Sequence, residues 1–225
     1  MKTRIFGAVC FIALCFTLQT THASSLVYGA TLSPVPLGSF SGATSVFYSG
    51  PQTFTAADYS GTLYSTVWKN DSLNPNGLGD LTFTYLIQMD FSTVDPVSTF
   101  TISSFANYLT DVSYTTSSLN DIVPTSVQRS SGPGTLVRFH FDGASLGSGT
   151  TSALLVIRTD AQSYAATSAG FLDGVGSSAN SVAPAPIVST PEPSPTILAG
   201  LGMLGLLIAR RYNRSQSQTE ALIKK

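Results

Sequence analysis

The sequence predicts an all-β domain over residues 24–183, with the antiparallel architecture of a β-sandwich or a jelly-roll-like fold. Three observations support this: apolar and polar residues alternate in several short segments, turn-forming residues separate the segments, and no long amphipathic helix interrupts them. The segments are residues 61–68, 81–91, 98–105, 136–141, 153–158 and, more weakly, 164–171. A chain of about 160 residues is long enough for one such core.

The clearest predicted strand is residues 81–91, in which every second side chain is apolar. Its predicted buried face consists of Leu81, Phe83, Tyr85, Ile87, Met89 and Phe91. Residues 61–68 alternate Leu63 and Val67 with polar positions, which indicates another half-buried strand. In residues 153–158 five apolar residues follow one another before Arg158, as is typical of a strand at the centre of a sheet.

Clusters of Asn, Asp, Pro and Gly lie between these segments and predict turns. They are residues 74–77, 95–96, 131–134, 143–149 and 173–174. Short strands that alternate with turns in this way favour antiparallel pairing between neighbouring segments.

The charge distribution excludes one class of partner. Charged residues make up only 10% of the chain, against about 25% in average soluble domains. From residue 24 to residue 190 the chain has ten aspartates, no glutamate and four basic residues, which gives a net charge of −6. Nucleic-acid binding needs a basic surface, so we expect no nucleic-acid partner.

The first 23 residues have the pattern of a secretory signal peptide. Lys2 and Arg4 precede an apolar run over residues 5–18, and a small residue, Ala23, ends the segment. The run is shorter than the roughly 20 residues that a membrane span needs. We therefore expect cleavage between Ala23 and Ser24. Both cysteines of the chain lie in the removed segment, so the exported protein has no thiol for a disulfide, a nucleophile or a metal.

The C-terminal region divides into a Pro-rich linker (184–195), a predicted short transmembrane helix (196–212) and a polar cytoplasmic tail (213–225). Prolines exclude a helix from the linker and favour extended backbone. Residues 197–209 are uncharged and span about 20 Å as a helix, which is short against a hydrocarbon core of about 30 Å. Arg210 and Arg211 follow directly and predict a cytoplasmic end for the helix.

Pro191-Glu192-Pro193, the apolar segment and the pair Arg210-Arg211 occur in this order near the end of the chain. Together they resemble the PEP-CTERM sorting signal of Gram-negative bacteria. The resemblance implies that an exosortase, a membrane cysteine transpeptidase or protease, recognises the Pro-Glu-Pro residues and processes the chain. It also implies transient contact with the secretion machinery and the inner membrane, and a final location at the cell surface or outside the cell. Tails of this family usually end soon after the arginines, whereas this chain continues through its polar tail.

A glycine motif inside the apolar segment needs a separate explanation. Gly200, Gly202 and Gly205 fit the G-x-G-x-x-G fingerprint of dinucleotide-binding folds. That fingerprint requires a preceding strand and a later acidic residue, whereas a Pro-rich linker precedes these glycines and arginines follow them. Small residues in a membrane helix explain the spacing better, so we expect no cofactor.

One loop is a weak candidate for calcium. Asp71, Asn74, Asn76 and Asp80 offer oxygen ligands of the kind that Ca²⁺ prefers. Their spacing lacks the register of a calcium-binding loop, and the sequence Asn76-Gly77 is a strong hairpin signal. A plain turn is therefore favoured, and we expect no bound metal.

No catalytic site is evident in the sequence. His140 is the domain's one histidine and lies on the polar face of a predicted strand, which favours a surface residue over a Ser-His-Asp triad. Asp90 and Asp95 are the nearest approach to a glycosidase pair, but a strand end and a following proline explain them as turn residues. We expect that the protein is not an enzyme.

Tyr64 and Trp68 are candidates for stacking on a sugar, because they lie opposite the apolar face of the strand 61–68. Packing in the core is the alternative. The leading expectation is a structural or interaction protein of the cell surface or the extracellular (biofilm) matrix. A secreted carbohydrate-binding module, with exopolysaccharide as a candidate partner, is the second, and a secreted hydrolase is the third.

Overall fold

The computed structural model describes residues 24–37, 42–143 and 145–187, together with Met203. The chain divides into two compact units, residues 1–186 and residues 187–225. In the described part of the first unit all regular structure is β-strand, which confirms the prediction of an all-β domain. The predicted signal helix lies outside the described residues, as does the predicted transmembrane helix except for Met203, whose backbone is helical. Over the described residues, no helix is long and apolar enough to cross a bilayer.

Thirteen strands are found in the described residues. They are β1 (Ser24–Ser25), β2 (Thr31–Leu32), β3 (Val35–Pro36), β4 (Thr44–Thr55), β5 (Ser60–Lys69), β6 (Thr82–Met89), β7 (Thr99–Ile102), β8 (Thr110–Thr115), β9 (Ser126–Arg129), β10 (Val137–His140), β11 (Leu154–Thr159), β12 (Tyr164–Asp173) and β13 (Val175–Pro184). The longer ones are rich in Thr, Val and aromatic residues, which fit the pleated and half-buried surface of a sheet.

The strands form two sheets. Sheet A has seven strands in the order β1-β8-β11-β6-β5-β4, with β3 also paired to β8. Sheet B has six strands in the order β13-β12-β7-β10-β9-β2. All pairs are antiparallel except β3 with β8. The tight turn between β12 and β13 uses Gly174, whose φ of 70° places it in the left-handed region that suits glycine.

One hydrophobic core lies between the two sheets. Phe54 of sheet A stacks on Phe171 of sheet B with a distance of 3.7 Å between ring centroids, and Tyr85 of sheet A lies 5.4 Å from Phe100 of sheet B. Leu63 and Val67 of β5 are fully buried in the same core. The face-to-face packing of two antiparallel sheets agrees with the sandwich prediction.

The predicted strand segments correspond to β5, β6, β7, β10, β11 and β12, with ends that differ by a few residues. One prediction about a face is wrong: Phe91 is not on the buried face of β6, because the strand ends at Met89 and Phe91 is 89% exposed in the following turn. Asp90 begins that turn, since its carbonyl accepts a hydrogen bond from the Thr93 amide. The alternation of apolar and polar residues continues by chance through Asp90 and Phe91, although the strand ends at Met89.

The two longest strands without a sequence prediction, β4 and β13, lie at sheet edges. In β4 the pairing with β5 shifts register twice, between Ser45 and Phe47 and between Tyr48 and Pro51, so no regular alternation of apolar residues results. In β13 small residues occupy most positions, and the strand has little apolar signal of its own.

Candidate functional site

Tyr64 and Trp68 lie on the outer face of sheet A, while Leu63 and Val67 on the same strand point into the core. Both aromatic side chains are half-buried, and the Trp68 indole Nε1 donates a hydrogen bond of 2.9 Å to Thr84 Oγ1. The neighbouring strand β4 adds Tyr48, which pairs in register with Thr66 and is 56% exposed. Three aromatic residues therefore share one accessible sheet face.

Sequence reasoning did not find Tyr48, because β4 lacks a regular alternation. Along β5, Trp68 lies four positions after Tyr64, which corresponds to about 13 Å at the rise of a strand. Pro51 lies opposite Tyr64 in the register of β4 and β5. The arrangement can offer ring faces to a sugar, and the hydroxyl group of Thr66 lies between Tyr64 and Trp68 on the same face of β5.

The loop that was the weak calcium candidate is held together by protein contacts. The Asp71 carboxylate is buried and accepts a hydrogen bond of 2.7 Å from Arg158 Nε, and Thr82 Oγ1 donates to the same oxygen at 3.0 Å. Its second oxygen accepts from the Leu73 amide at 3.0 Å. The one carboxylate at the start of the loop is therefore engaged by a guanidinium, which favours the plain turn over a calcium site.

The other members of the calcium candidate have structural contacts as well. Asn74 donates from its amide nitrogen to the Thr159 carbonyl at 3.1 Å, and its amide oxygen accepts from Asn76. The backbone amide of Asp80 bonds to the Gly77 carbonyl. No group of three or more His, Cys, Asp or Glu side chains that could hold a metal occurs in the part of the chain that the structure describes.

Arg158 belongs to a polar cluster on the outer face of sheet A, beneath residues 70–80. Its Nη1 donates to Ser113 Oγ at 2.8 Å, and Asp111 lies next to it on β8, since Arg158 and Asp111 are register partners. Burial raises the pKa of the Asp111 carboxyl, an effect opposed by the charge of Arg158 and a hydrogen bond from Asn76. The sequence contained a signal for this cluster: an arginine at the end of an apolar central strand needs a buried partner.

Arg129 is the second buried arginine, and its partners are backbone carbonyls. Its guanidinium donates to the carbonyls of Leu26, Phe105, Tyr108 and Gly134 over distances of 2.7 to 3.1 Å. The ring of Tyr28 covers the guanidinium, with its centroid 4.4 Å from Cζ. Burial lowers the pKa of Arg129, and no carboxylate of the described residues lies within ion-pair distance of it.

Neither catalytic candidate forms an array in the structure. His140 Nδ1 lies 3.3 Å from Thr99 Oγ1 on the neighbouring strand, and Asp90 Oδ2 accepts a hydrogen bond of 2.6 Å from Ser60 Oγ. Asp95 is exposed, and its backbone amide bonds to the Asp58 carbonyl in the same turn region. These contacts fit the structural explanations that the sequence favoured.

Both ends of the domain are tied to the sandwich. Ser24, the first residue after the predicted cleavage site, pairs with Val112 at the edge of sheet A. At the other end, the Ala185 amide donates to the Ser163 carbonyl, and the Ala185 carbonyl accepts a hydrogen bond of 2.6 Å from the Tyr108 hydroxyl. Pro184, predicted to begin the linker, is the last residue of β13.

Two further tyrosine hydroxyls bind the last two strands. The Tyr59 hydroxyl donates to carbonyls at the hairpin of β12 and β13, those of Phe171 and Val175. Tyr85 donates to the Val182 carbonyl at 2.8 Å, and burial raises the pKa of Tyr85 well above its ordinary value. The strand that leads to the C-terminal region is thus hydrogen-bonded to the core as far as Ala185.

The predicted sorting residues Pro191, Glu192 and Pro193 lie outside the described residues, as do Arg210, Arg211 and Ala23. Residues 189–212 match a family model described as the PEP-CTERM protein-sorting motif. The match confirms the predicted sorting signal, and it implies processing by an exosortase and export to the cell envelope. No curated protein and no solved structure matches the chain.

Proposed function

We propose that the chain is an exported structural or interaction protein of the cell surface or the extracellular, biofilm-associated matrix. The observation that carries this proposal is the sorting motif at residues 189–212, placed directly after a folded all-β domain. In this proposal the signal peptide is removed between Ala23 and Ser24. The C-terminal apolar segment then holds the chain in the inner membrane until an exosortase acts near Pro191-Glu192-Pro193.

We infer that the β-domain acts by binding or assembly rather than by catalysis. Three side chains were the sequence's candidates for a hydrolase. Asp90 accepts a hydrogen bond from Ser60, His140 lies next to Thr99, and Asp95 is exposed in a turn. The Ser- and Thr-rich composition and the low content of charge also suit a protein that works outside the cytoplasm.

Expression with and without the exosortase tests the sorting proposal. We expect the intact mass of the mature chain to lack the residues after the processing site only when the enzyme is present. Replacement of Pro191, Glu192 and Pro193 by alanine should block that change, whereas Gln216→Ala, beyond the matched motif, should not. An identical C-terminal mass with and without the enzyme would refute the proposal.

A carbohydrate-binding role is the second candidate, and the shared face of Tyr48, Tyr64 and Trp68 supports it. Base stacking on aromatic rings is worth roughly 1–3 kcal/mol per ring in nucleic-acid complexes, and we expect sugars to lie at the lower end of that range. A glycan screen with exopolysaccharide included, followed by titration, tests this role. Binding should fall several-fold in Trp68→Ala and stay unchanged in Phe91→Ala, which removes an exposed aromatic ring away from this face.

A further inference from the structure

The sandwich has one end at which the chain leaves the domain, and we call it the exit end. It is formed by residues 26–30, 105–110 and 160–163. Hydrogen bonds join these segments: the Leu26 amide donates to the Thr110 carbonyl, and the Leu109 amide donates to Asp160 Oδ1 at 2.9 Å. Ala185 is attached at the same place through Ser163 and Tyr108.

The exit end carries exposed apolar side chains around a shallow apolar groove. Val27 is 64% exposed, Tyr28 49% and Leu109 62%. Together with Leu26, Tyr108 and Arg129 they line a groove of about 190 Å³. The bonds of Arg129 to the carbonyls of Leu26 and Tyr108 hold the two sides of the groove in place. This surface is therefore built on fixed backbone.

The covalent distance from this surface to the sorting motif is short. Six peptide units separate Ala185 from Pro191, and a fully extended chain of that length reaches about 20 Å. A small folded domain is about 30 Å in diameter. Any folded enzyme that holds residues 191–193 must therefore lie against, or very near, the exit end of its substrate.

We propose that the exit end, through Val27, Tyr28 and Leu109, is a docking surface for the membrane-embedded enzyme that processes the motif. This inference rests on the proposed sorting function and adds a second recognition element to it. The linear motif supplies the residues that the enzyme holds, and the apolar groove supplies contact with the folded domain. A partner with a complementary apolar patch beside its active-site entrance fits this surface.

Two other occupants fit less well. A lipid surface attracts proteins through exposed lysine and arginine. Arg129 in the groove is buried and bonded to backbone carbonyls, Asp160 lies at the rim, and the domain has a net charge of −6. A second copy of the chain would have to bind through this surface alone, and a standard interface takes roughly 20–30 residues a side. The processing enzyme also holds residues 191–193, so three exposed apolar side chains are only a part of its contact.

The rate of processing in cells that contain the enzyme tests the proposal on the full chain. Leu109→Asp should slow processing about tenfold, because a charge replaces an apolar side chain that the contact would bury. The matched control is Leu119→Asp, which changes a fully exposed leucine in the loop after β8, at the opposite end of the sandwich. Equal rates for Leu109→Asp and the parent chain would overturn the inference.

Replacement of Pro191, Glu192 and Pro193 by alanine separates this test from the test of the sorting function. If that variant is processed like the parent chain, the sorting function itself is wrong. If it is not processed while Leu109→Asp is processed at the parent rate, the sorting function stands and the docking surface does not exist. Limited proteolysis of each variant checks that the domain has folded.

Site-specific photocrosslinking gives a second measurement that does not depend on an altered charge. A photoreactive residue at position 109 of the full chain should form an adduct with the processing enzyme, and the same residue at position 119 should not. An adduct at position 109 with lipid only, or with a second copy of the chain only, would overturn the proposal. The absence of any adduct at position 109 would overturn it as well.

Discussion

The two buried arginines of the domain are neutralised in different ways. Arg158, on the outer face of sheet A, binds a side-chain carboxylate, that of Asp71. Arg129, at the exit end, binds four backbone carbonyls and lies against the ring of Tyr28. In one place a carboxylate at hydrogen-bond distance compensates the cation. In the other, backbone dipoles and a ring face contact the cation, and the charge of Asp160 acts on it from a greater distance.

The difference determines which changes the domain can tolerate. The partner of Arg158 is a side chain, so a second substitution can remove both charges together. The partners of Arg129 are main-chain groups, which no substitution removes. Arg129 therefore joins three segments, around Leu26, Phe105 and Gly134, by a cross-link that depends on this one side chain.

The largest effect is expected from Asp71→Ala. Removing the carboxylate deprives a buried guanidinium of its ion-pair partner at hydrogen-bond distance, and breaking a buried pair costs about 3–5 kcal/mol. Asp111, the register partner of Arg158, keeps part of the counter-charge. Urea unfolding of the purified protein, followed through the fluorescence of Trp68, measures the loss. The control Asp95→Ala changes an exposed carboxylate and should cost less than about 0.5 kcal/mol.

A double-mutant cycle sharpens this result. Asp71→Ala combined with Arg158→Met should be more stable than Asp71→Ala alone, because the buried guanidinium that lost its ion pair with Asp71 is gone. The recovery is incomplete, since Thr82 and the Leu73 amide also lose their acceptor. A double variant as unstable as the sum of the two single changes would show that the pair is not coupled.

Arg129→Lys should give the next largest loss, about 2 kcal/mol. An ammonium group has three donors in place of five and cannot serve four carbonyls in the plane of a guanidinium. Arg138→Lys is the matched control, because Arg138 is half-buried and has one hydrogen bond of 3.4 Å, to Gln128. Equal unfolding free energies for both variants would contradict the role assigned to Arg129.

Tyr28→Ala should cost about 0.5–1 kcal/mol, the range for a partly exposed contact between a cation and a ring. Tyr28→Phe keeps the ring and should be close to the parent protein. The same urea experiment distinguishes the two. Equal losses in both variants would mean that the hydroxyl, and not the ring face, is the stabilising group.

The smallest effect concerns pH and Asp111. Its folded pKa is raised above 3.8, chiefly by burial, so the native state holds this proton more tightly than the unfolded chain does. Its contribution to stability is therefore complete below about pH 3.8 and is lost as the pH rises through the raised value. Asp111→Asn removes this dependence, so the stability of the variant relative to the parent should increase from about pH 3 to pH 7. A constant difference over that interval would contradict the raised pKa.

Much of the fold was predictable because strand faces follow from a local period of two residues. The alternation in residues 81–91 and the apolar run in residues 153–158 were sufficient to predict β6 and β11, the latter at the centre of sheet A. The edge strands β4 and β13 had no such signal, because register shifts in one and small residues in the other remove the periodicity. The position and register of these edge strands are determined by hydrogen bonds to the neighbouring strand, β5 for β4 and β12 for β13.

The sequence by itself determined the class of the domain and the sorting motif, because both depend on residues close together in the chain. Tertiary structure alone decided that Asp71 would bind Arg158, that Arg129 would hold the carbonyl of Leu26, and that Tyr48 would join Trp68 on one face. The physical reason is distance along the chain. Arg129 and Leu26, for example, are 103 residues apart and meet only after the sheets have paired, and no local pattern records which of many polar residues will face each other.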